Sequence, residues 1–337
     1  MNTLTASAAG GELDFRLLNA FQRDFPLVPR PFAAVAEKLG VDESLVIERL
    51  RALRADGAVS RVGAVFRPNV IGASALAALA VAPDRLERVA GFVSAFAEVN
   101  HNYQREHRYN LWFVATAPSQ ERLNAVFAEI EEVCESGPVL VLPMVEEYHI
   151  DLGFDLAAYA NGAALPPSAV VSCSPIALNE TERRMVAVLQ EGLALVERPY
   201  SCLGLAESDA LALIARWLDE GIVKRLGVIV RHHELGYTAN AMTVWNVPDA
   251  QVSEAGQRIA AGGRATLCYR RERRLPDWPY NLFCMIHGKD RADVRARIAA
   301  MSRECGLDGW PRDILFSCRR FKQRGAHYAA LPETRHG

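Results

Sequence analysis

Asp56-Gly57-Ala58-Val59-Ser60-Arg61-Val62-Gly63-Ala64-Val65-Phe66-Arg67 is answered 164 residues later by Glu220-Gly221-Ile222-Val223-Lys224-Arg225-Leu226-Gly227-Val228-Ile229-Val230-Arg231. Each version opens on an acidic residue and a glycine, where a helix stops, and continues as small and β-branched residues, where extended chain starts. The match spreads in both directions. Arg30-Pro31-Phe32 recurs as Arg198-Pro199-Tyr200, Gly72 as Gly236, and Tyr109-Asn110-Leu111 as Tyr280-Asn281-Leu282, the offset staying between 164 and 171 residues. So small a drift means one unit present twice, with loop insertions.

Upstream of the quoted stretch the pattern is helical. Leu13, Leu17, Leu18 and Phe21 form one apolar stripe, Phe32 to Leu39 a second closed by Gly40, and Asp42 is placed to cap a third that carries Leu45, Val46, Leu50 and Leu53. Asn179 to Leu195, Leu203 to Ala206 and Ser208 to Asp219 repeat this in copy two. Three short helices with a tight turn make a helix-turn-helix, and Val62 to Phe66 and Val228 to Val230 read as its wings.

Downstream the period changes. Ala73 to Ala82 reads as a strand, Asp84 to Phe96 as a helix, Glu98 to Gln104 and Asn110 to Thr116 as strands, Ser119 to Cys134 as a helix and Val139 to Glu146 as a strand. Copy two gives Ala239 to Asn246, Ala250 to Ala260, Thr266 to Arg270, Asn281 to His287, Asp290 to Arg303 and Asp313 to Phe321 in the same roles. The expected class is therefore α+β, a tandem repeat of a winged helix-turn-helix and a ferredoxin-like βαββαβ domain. The boundaries read as helix-turn-helix 1–62, sheet domain 63–156, an Ala-, Ser- and Pro-rich linker 157–175, helix-turn-helix 176–226 and sheet domain 227–337.

Composition narrows the function. Of 337 residues 50% are hydrophobic and 23% charged, and 38 Lys and Arg against 40 Asp and Glu leave a net charge of −2. No global cationic field exists to hold a nucleic acid, so anions must be met locally. No apolar run reaches the length of a membrane span, and Met1 to Glu12 lack the pattern of a signal peptide, so a cytoplasmic protein is expected. Seven cysteines with no C-x-x-C pair read as reduced core residues rather than a disulfide or zinc framework. No G-x-G-x-x-G motif, P-loop or Schiff-base lysine calls for a nucleotide, redox cofactor or added metal.

The architecture resembles the Lrp/AsnC transcription regulators over nearly all of each copy. A recognition helix, however, needs cations and amides facing the groove. Ser208 to Glu220 carries Arg216 alone against Asp209, Asp219 and Glu220, and in copy one Arg49, Arg51 and Arg54 are offset by Asp42, Glu43, Glu48 and Asp56. DNA is not the expected partner.

Polar and aromatic residues gather instead in the sheet domains. Four segments stand out: His101-Asn102-Tyr103-Gln104-Arg105 with His107-Arg108-Tyr109-Asn110-Leu111-Trp112; Glu146-Glu147-Tyr148-His149-Ile150-Asp151-Leu152-Gly153-Phe154; Tyr269-Arg270-Arg271 with Trp278-Pro279-Tyr280-Asn281-Leu282-Phe283; and Phe316-Ser317-Cys318-Arg319-Arg320-Phe321-Lys322. In that order they resemble the siroheme decarboxylases, Lrp-like proteins that take two acetate carboxyl groups from siroheme on the way to d-type haem or haem. The family usually has two related subunits, and this chain looks like both fused. The resemblance implies siroheme or a related iron porphyrin as substrate, paired sheets packed face to face around it, and no further cofactor. A homodimer of fused chains is expected.

For such a substrate, flat and fringed with carboxylates, the chain offers Tyr103, Tyr109, Trp112, Tyr269, Trp278 and Tyr280 as walls. Arg105, Arg108, Arg270, Arg271, Arg319, Arg320 and Lys322 offer charge, bidentate in the Arg cases. Losing CO2 leaves an electron pair on the methylene carbon, so the reaction needs an acid. His101 and His149 are the expected donors, cationic near neutrality, with His107 a further candidate. An imidazole is also a haem-iron ligand, so the sequence leaves open whether His101 or His149 donates a proton or ligates the substrate's iron. Glu146, Glu147 and Asp151 could orient a ring. Copy two has no histidine in its corresponding motifs, which implies one working site, in copy one; His287 reads as packing at a strand end, and His232 and His233 beside the wing and His327 and His336 near the C-terminus read as residues without a catalytic role.

Overall fold

The computed structural model describes residues 8–150, 153, 175–231 and 236–329. The predicted linker, save Pro175, lies outside them, as do Asp151, His232, His233 and His336. Two compact units emerge.

The first unit holds α1 (Ala8–Ala20), α2 (Pro31–Leu39), α3 (Glu43–Ala55) and β1 (Val59–Phe66) of copy one. Copy two adds α6 (Glu180–Leu189), a 3-10 turn (Pro199–Cys202), α7 (Glu207–Asp219) and β6 (Val223–Val230). Asn179 and Glu182 close a reciprocal capping box on α6. Leu203 to Ala206, predicted as a helix, are not helical: the helical turn is a 3-10 turn that Pro199 starts and that ends at Cys202, and Gly204 beyond it is at φ +81°. Asp42 occupies the cap position of α3 but makes no side-chain cap bond. The wings are not separate appendages. β1 and β6 pair with each other antiparallel, Gly63 opposite Gly227, so the boundaries read at residues 62 and 226 fall inside strands. A Cβ on Gly227 would lie 2.1 Å from the Gln22 carbonyl oxygen, which explains why the repeat keeps glycine there.

The second unit holds both sheet domains. Copy one supplies β2 (Ala73–Leu79), α4 (Leu86–Ala95), β3 (Val99–Arg105), β4 (Leu111–Ala117), α5 (Gln120–Cys134) and β5 (Leu140–Ile150). Copy two supplies β7 (Ala239–Trp245), α8 (Val252–Gly262), β8 (Leu267–Arg271), β9 (Leu282–Gly288), α9 (Arg291–Glu304) and β10 (Arg312–Gln323). The βαββαβ order is as read, but the expected pair of stacked sheets is replaced by one closed antiparallel barrel, β10-β3-β4-β2-β5-β8-β9-β7. The reason is the length of β5 and β10. The first half of β5 pairs with β2 of its own copy and the second half with β8 of the other; β10 divides likewise between β7 and β3. Edge strands that would be left open are thereby satisfied.

The helices cover the outer face through two apolar clusters, each drawn mainly from one copy. The inner face encloses a third cluster drawn from both copies, with Leu76, Trp112, Leu142, Met242, Trp278, Phe283 and Leu315 among its members. At eight strands a barrel is just wide enough for side chains to fill it. Of the cysteines expected in the core, Cys134, Cys268, Cys284 and Cys305 are buried, whereas Cys202 and Cys318 are exposed. No helix among the described residues is long and apolar enough to cross a membrane.

Candidate active site

Strand alternation sorts the predicted residues by face. On β3, Tyr103 stands opposite Trp112, a member of the inner cluster, so His101, Tyr103 and Arg105 share the inner face. They form a ladder: the His101 and Tyr103 rings stack at 6.2 Å, and the Arg105 guanidinium lies 5.7 Å from the Tyr103 centroid while Nη1 donates to the Leu315 carbonyl at 2.9 Å. Across the β3–β10 seam, Arg320 faces Tyr103 and Gln323 faces His101, with Arg320 donating to the Gln323 side chain at 3.0 Å.

Copy two presents the matching ladder on β8. Tyr269 and Phe283 stack at 6.0 Å, and the buried Arg271 lies 4.5 Å over Tyr269 and donates to the Leu142 carbonyl. Between the ladders is an aromatic cluster. Trp278 is fully buried and meets Trp112 at 5.1 Å, Tyr280 at 5.0 Å, His107 at 5.4 Å and Tyr109 at 6.1 Å. His107 accepts the Tyr109 amide at Nδ1 and faces Asp313 with Nε2 at 3.5 Å.

The other predicted cations are turned elsewhere. Lys322 donates to the Ser94 and Phe96 carbonyls at the end of α4. Arg319 pairs with Glu87 of α4, Arg270 with Asp249 and Arg108 with Asp277. For Arg319 and Arg270 this follows from alternation, since they neighbour the inward Arg320, Tyr269 and Arg271, whereas Lys322 is turned out by the bulge after Arg320.

The two predicted donors are not brought together. β4 and β2 separate β3 from β5 in the barrel. His149, 1% exposed, stands opposite Cys268, whose thiol meets the Gly256 carbonyl of α8 on the outer side. Glu146, expected to orient a ring, accepts from Tyr148 at 2.9 Å and from Ser253 of α8 at 2.6 Å. The bulges in β5 beside Met144 and beside Glu147 shift the face of each residue after them, which plain alternation could not foresee.

Electrostatics also revise the expectation of cationic histidines. Burial pushes His101 down to about 4, so at pH 7 it is neutral in the ligand-free protein. Burial, and then the Arg105 guanidinium, push His287 down to about 4 as well. Burial lowers Arg105 to about 10 and lowers Arg271, leaving both cationic. These are guanidiniums held in a low-dielectric interior, where a carboxylate is attracted more strongly than at the surface.

His287, read from the sequence as packing at a strand end, has its own place among these residues. It lies on the inner face, two strand steps beyond Met285, and its ring nitrogen Nδ1 is 2.9 Å from the Thr266 hydroxyl. Its signal was present: Phe283, Met285 and His287 fall at period two.

In the first unit, three cations of the helix-turn-helix elements are engaged internally. Arg49 grips Asp14 with two bonds of 2.9 and 2.6 Å, Arg51 donates to the Leu195 carbonyl at 2.6 Å, and Arg216 pairs with Glu182 at 2.5 Å. A DNA phosphate would have to compete with these partners.

Comparison with known proteins bears on this arrangement. Residues 14–59 match the family model described as the siroheme decarboxylase NirDL-like HTH domain, and residues 71–149 and 234–322 match the AsnC-like ligand binding domain. The chain is 45% identical over 327 residues to the siroheme decarboxylase NirDL subunit of Paracoccus denitrificans, covering 95% of this chain and 98% of that one. It is 33% identical to the siroheme decarboxylase of Hydrogenobacter thermophilus, with 93% and 94% covered. Among solved structures, siroheme decarboxylase NirDL in complex with an iron-uroporphyrin III analogue superimposes with a TM-score of 0.68 at 31% identity, over 94% of this chain and 95% of that one.

Proposed function

Because the chain belongs to the siroheme decarboxylase family, we propose that it is a carboxy-lyase that removes two acetate carboxyl groups from siroheme to give the 12,18-didecarboxy product. The observation that carries this reading is the inner-face ladder His101-Tyr103-Arg105 opposite Arg320, with its counterpart Tyr269-Arg271 in copy two. It joins flat rings, buried guanidiniums and an imidazole, which is what an apolar macrocycle fringed with carboxylates requires.

The chemistry follows from the residues. A guanidinium holds one carboxylate while the acetate to be cleaved is drawn out of water beside the imidazole. The anion's approach raises the basicity of His101, which takes up a proton. As the bond between methylene and carboxyl breaks, CO2 leaves, the electron pair stays on the methylene carbon, and His101 delivers the proton that makes it a methyl group. Solvent then reprotonates the ring. Donor and cations come from the chain itself, so no cofactor is needed beyond the iron porphyrin that is the substrate. His101 and His149 remain the proposed donors from sequence, and the inner-face position favours His101. The working assembly is proposed to be a homodimer of fused chains.

Anaerobic incubation of the pure protein with siroheme, followed by mass spectrometry of the tetrapyrrole, tests this directly. Loss of two CO2 per macrocycle is expected. Tight binding with no loss of mass would convert the reading to a tetrapyrrole sensor.

A further inference from the structure

Building on the siroheme reading, we propose that His287 is a second proton donor, acting with Arg105 on the acetate that His101 does not serve, so that copy two houses a working site of its own. Strand register gathers the parts. Arg105 on β3 stands opposite Ser317 on β10; Phe316 opposite Ala241 sets Ser317 level with Asn240 on β7; Asn240 stands opposite His287 on β9. The four form a continuous polar row on the inner face at one end of the barrel, and the Asn240 amide oxygen is buried with no hydrogen-bond donor among the described residues. The pseudo-twofold counterpart of His287 in copy one is Thr116, since Leu111 corresponds to Leu282, and that threonine is tied to Asn100 at 2.7 Å. The position thus carries an imidazole in one copy and a hydroxyl in the other, the reverse of His101, whose counterpart is Leu267. Each barrel end therefore has one imidazole of its own.

The ring is oriented for proton transfer. The Thr266 hydroxyl gives its only hydrogen to the Met285 carbonyl at 3.0 Å, so towards His287 it accepts from Nδ1–H. That fixes the tautomer and makes Nε2 the atom that gains and gives the second proton. A cavity of about 310 Å³ opens at the same end, lined by Ser317 of the row, by Lys289 and Arg291, two and four residues after His287, and by Glu106 and Asp290. Arg291 holds Glu106 at 2.6 Å, and Lys289 lies 5.6 Å over the Tyr237 ring. The step balances as for His101: the carbon–carbon bond breaks, CO2 departs, the methylene carbon keeps the electron pair and takes the proton from Nε2, and solvent restores it.

The test uses the full chain carrying His287→Gln, whose amide can keep the bond to Thr266 but cannot deliver a proton, and His287→Ala. Both react anaerobically with siroheme, and CO2 losses are counted by mass. The expected result is arrest after one loss, with the second slowed at least ~10²-fold and restored in His287→Ala by added imidazole. Two losses at the parental rate in either folded variant would overturn the proposal. So would equal slowing of both losses without imidazole rescue, the mark of a structural role. A parental protein that binds siroheme yet releases no CO2 would instead overturn the decarboxylase reading itself.

Discussion

His101 combines a stacking neighbour with an interior that withholds water, and its neutrality at pH 7 follows from the second of these. Two measurements follow. Binding of an octacarboxylate porphyrin should be accompanied by proton uptake, seen as a dependence of calorimetric binding enthalpy on the ionisation enthalpy of the buffer. An uptake of zero between pH 6 and 8 would contradict the proposed role. In the ligand-free protein the folded-state value lies below the unfolded one, so the unfolded chain binds the extra proton. Stability is then full above about pH 6.5 and is lost as pH falls towards 4, by up to ~1.4 kcal/mol per pH unit for each such histidine. His101→Gln should flatten that acid limb in urea titrations at pH 7, 6 and 5, and should lower turnover at least ~10²-fold with the circular dichroism spectrum unchanged.

Among the elements, β10 shows what the sequence could and could not say. Its cations were legible as a cluster, and their sorting by face was not, because a bulge between Ser317 and Arg319 and another between Arg320 and Lys322 reset the alternation. Lys322 consequently ends on the α4 carbonyls. Lys322→Ala should therefore lower the melting temperature while leaving KM for siroheme within about twofold; a large KM increase would return it to the substrate. Conversely, the helix ends at Gly57 and Gly221 and the βαββαβ order were readable from periodicity and repeat alone, while Tyr103, Arg105, Tyr269 and Arg271 were named by residue type together with residues that face outward. What periodicity lacked was the pairing of one copy's strands with the other's, a long-range choice. At Gly227, where a side chain would press on Gln22, substitution by Ala should cost about 1–3 kcal/mol in a denaturant melt.

For the whole molecule, both seams of the barrel join one copy to the other, and the helix-turn-helix unit is likewise built from both. A protease cut confined to residues 157–175 should leave the two halves together on size exclusion, released only by denaturant. Separation under native conditions would mean that the seams are weaker than their strand pairing implies.

The seams are also unlike one another. At corresponding positions one carries Glu146 opposite Arg270, and the other Arg319 opposite Gln104. If two second halves were to pair with each other, Arg319 would face Arg270 at both junctions, and directly opposed like charges repel. The mating rule is thus written into the second half: it rejects a copy of itself and accepts its sibling, which lets the two specialise without losing their complement.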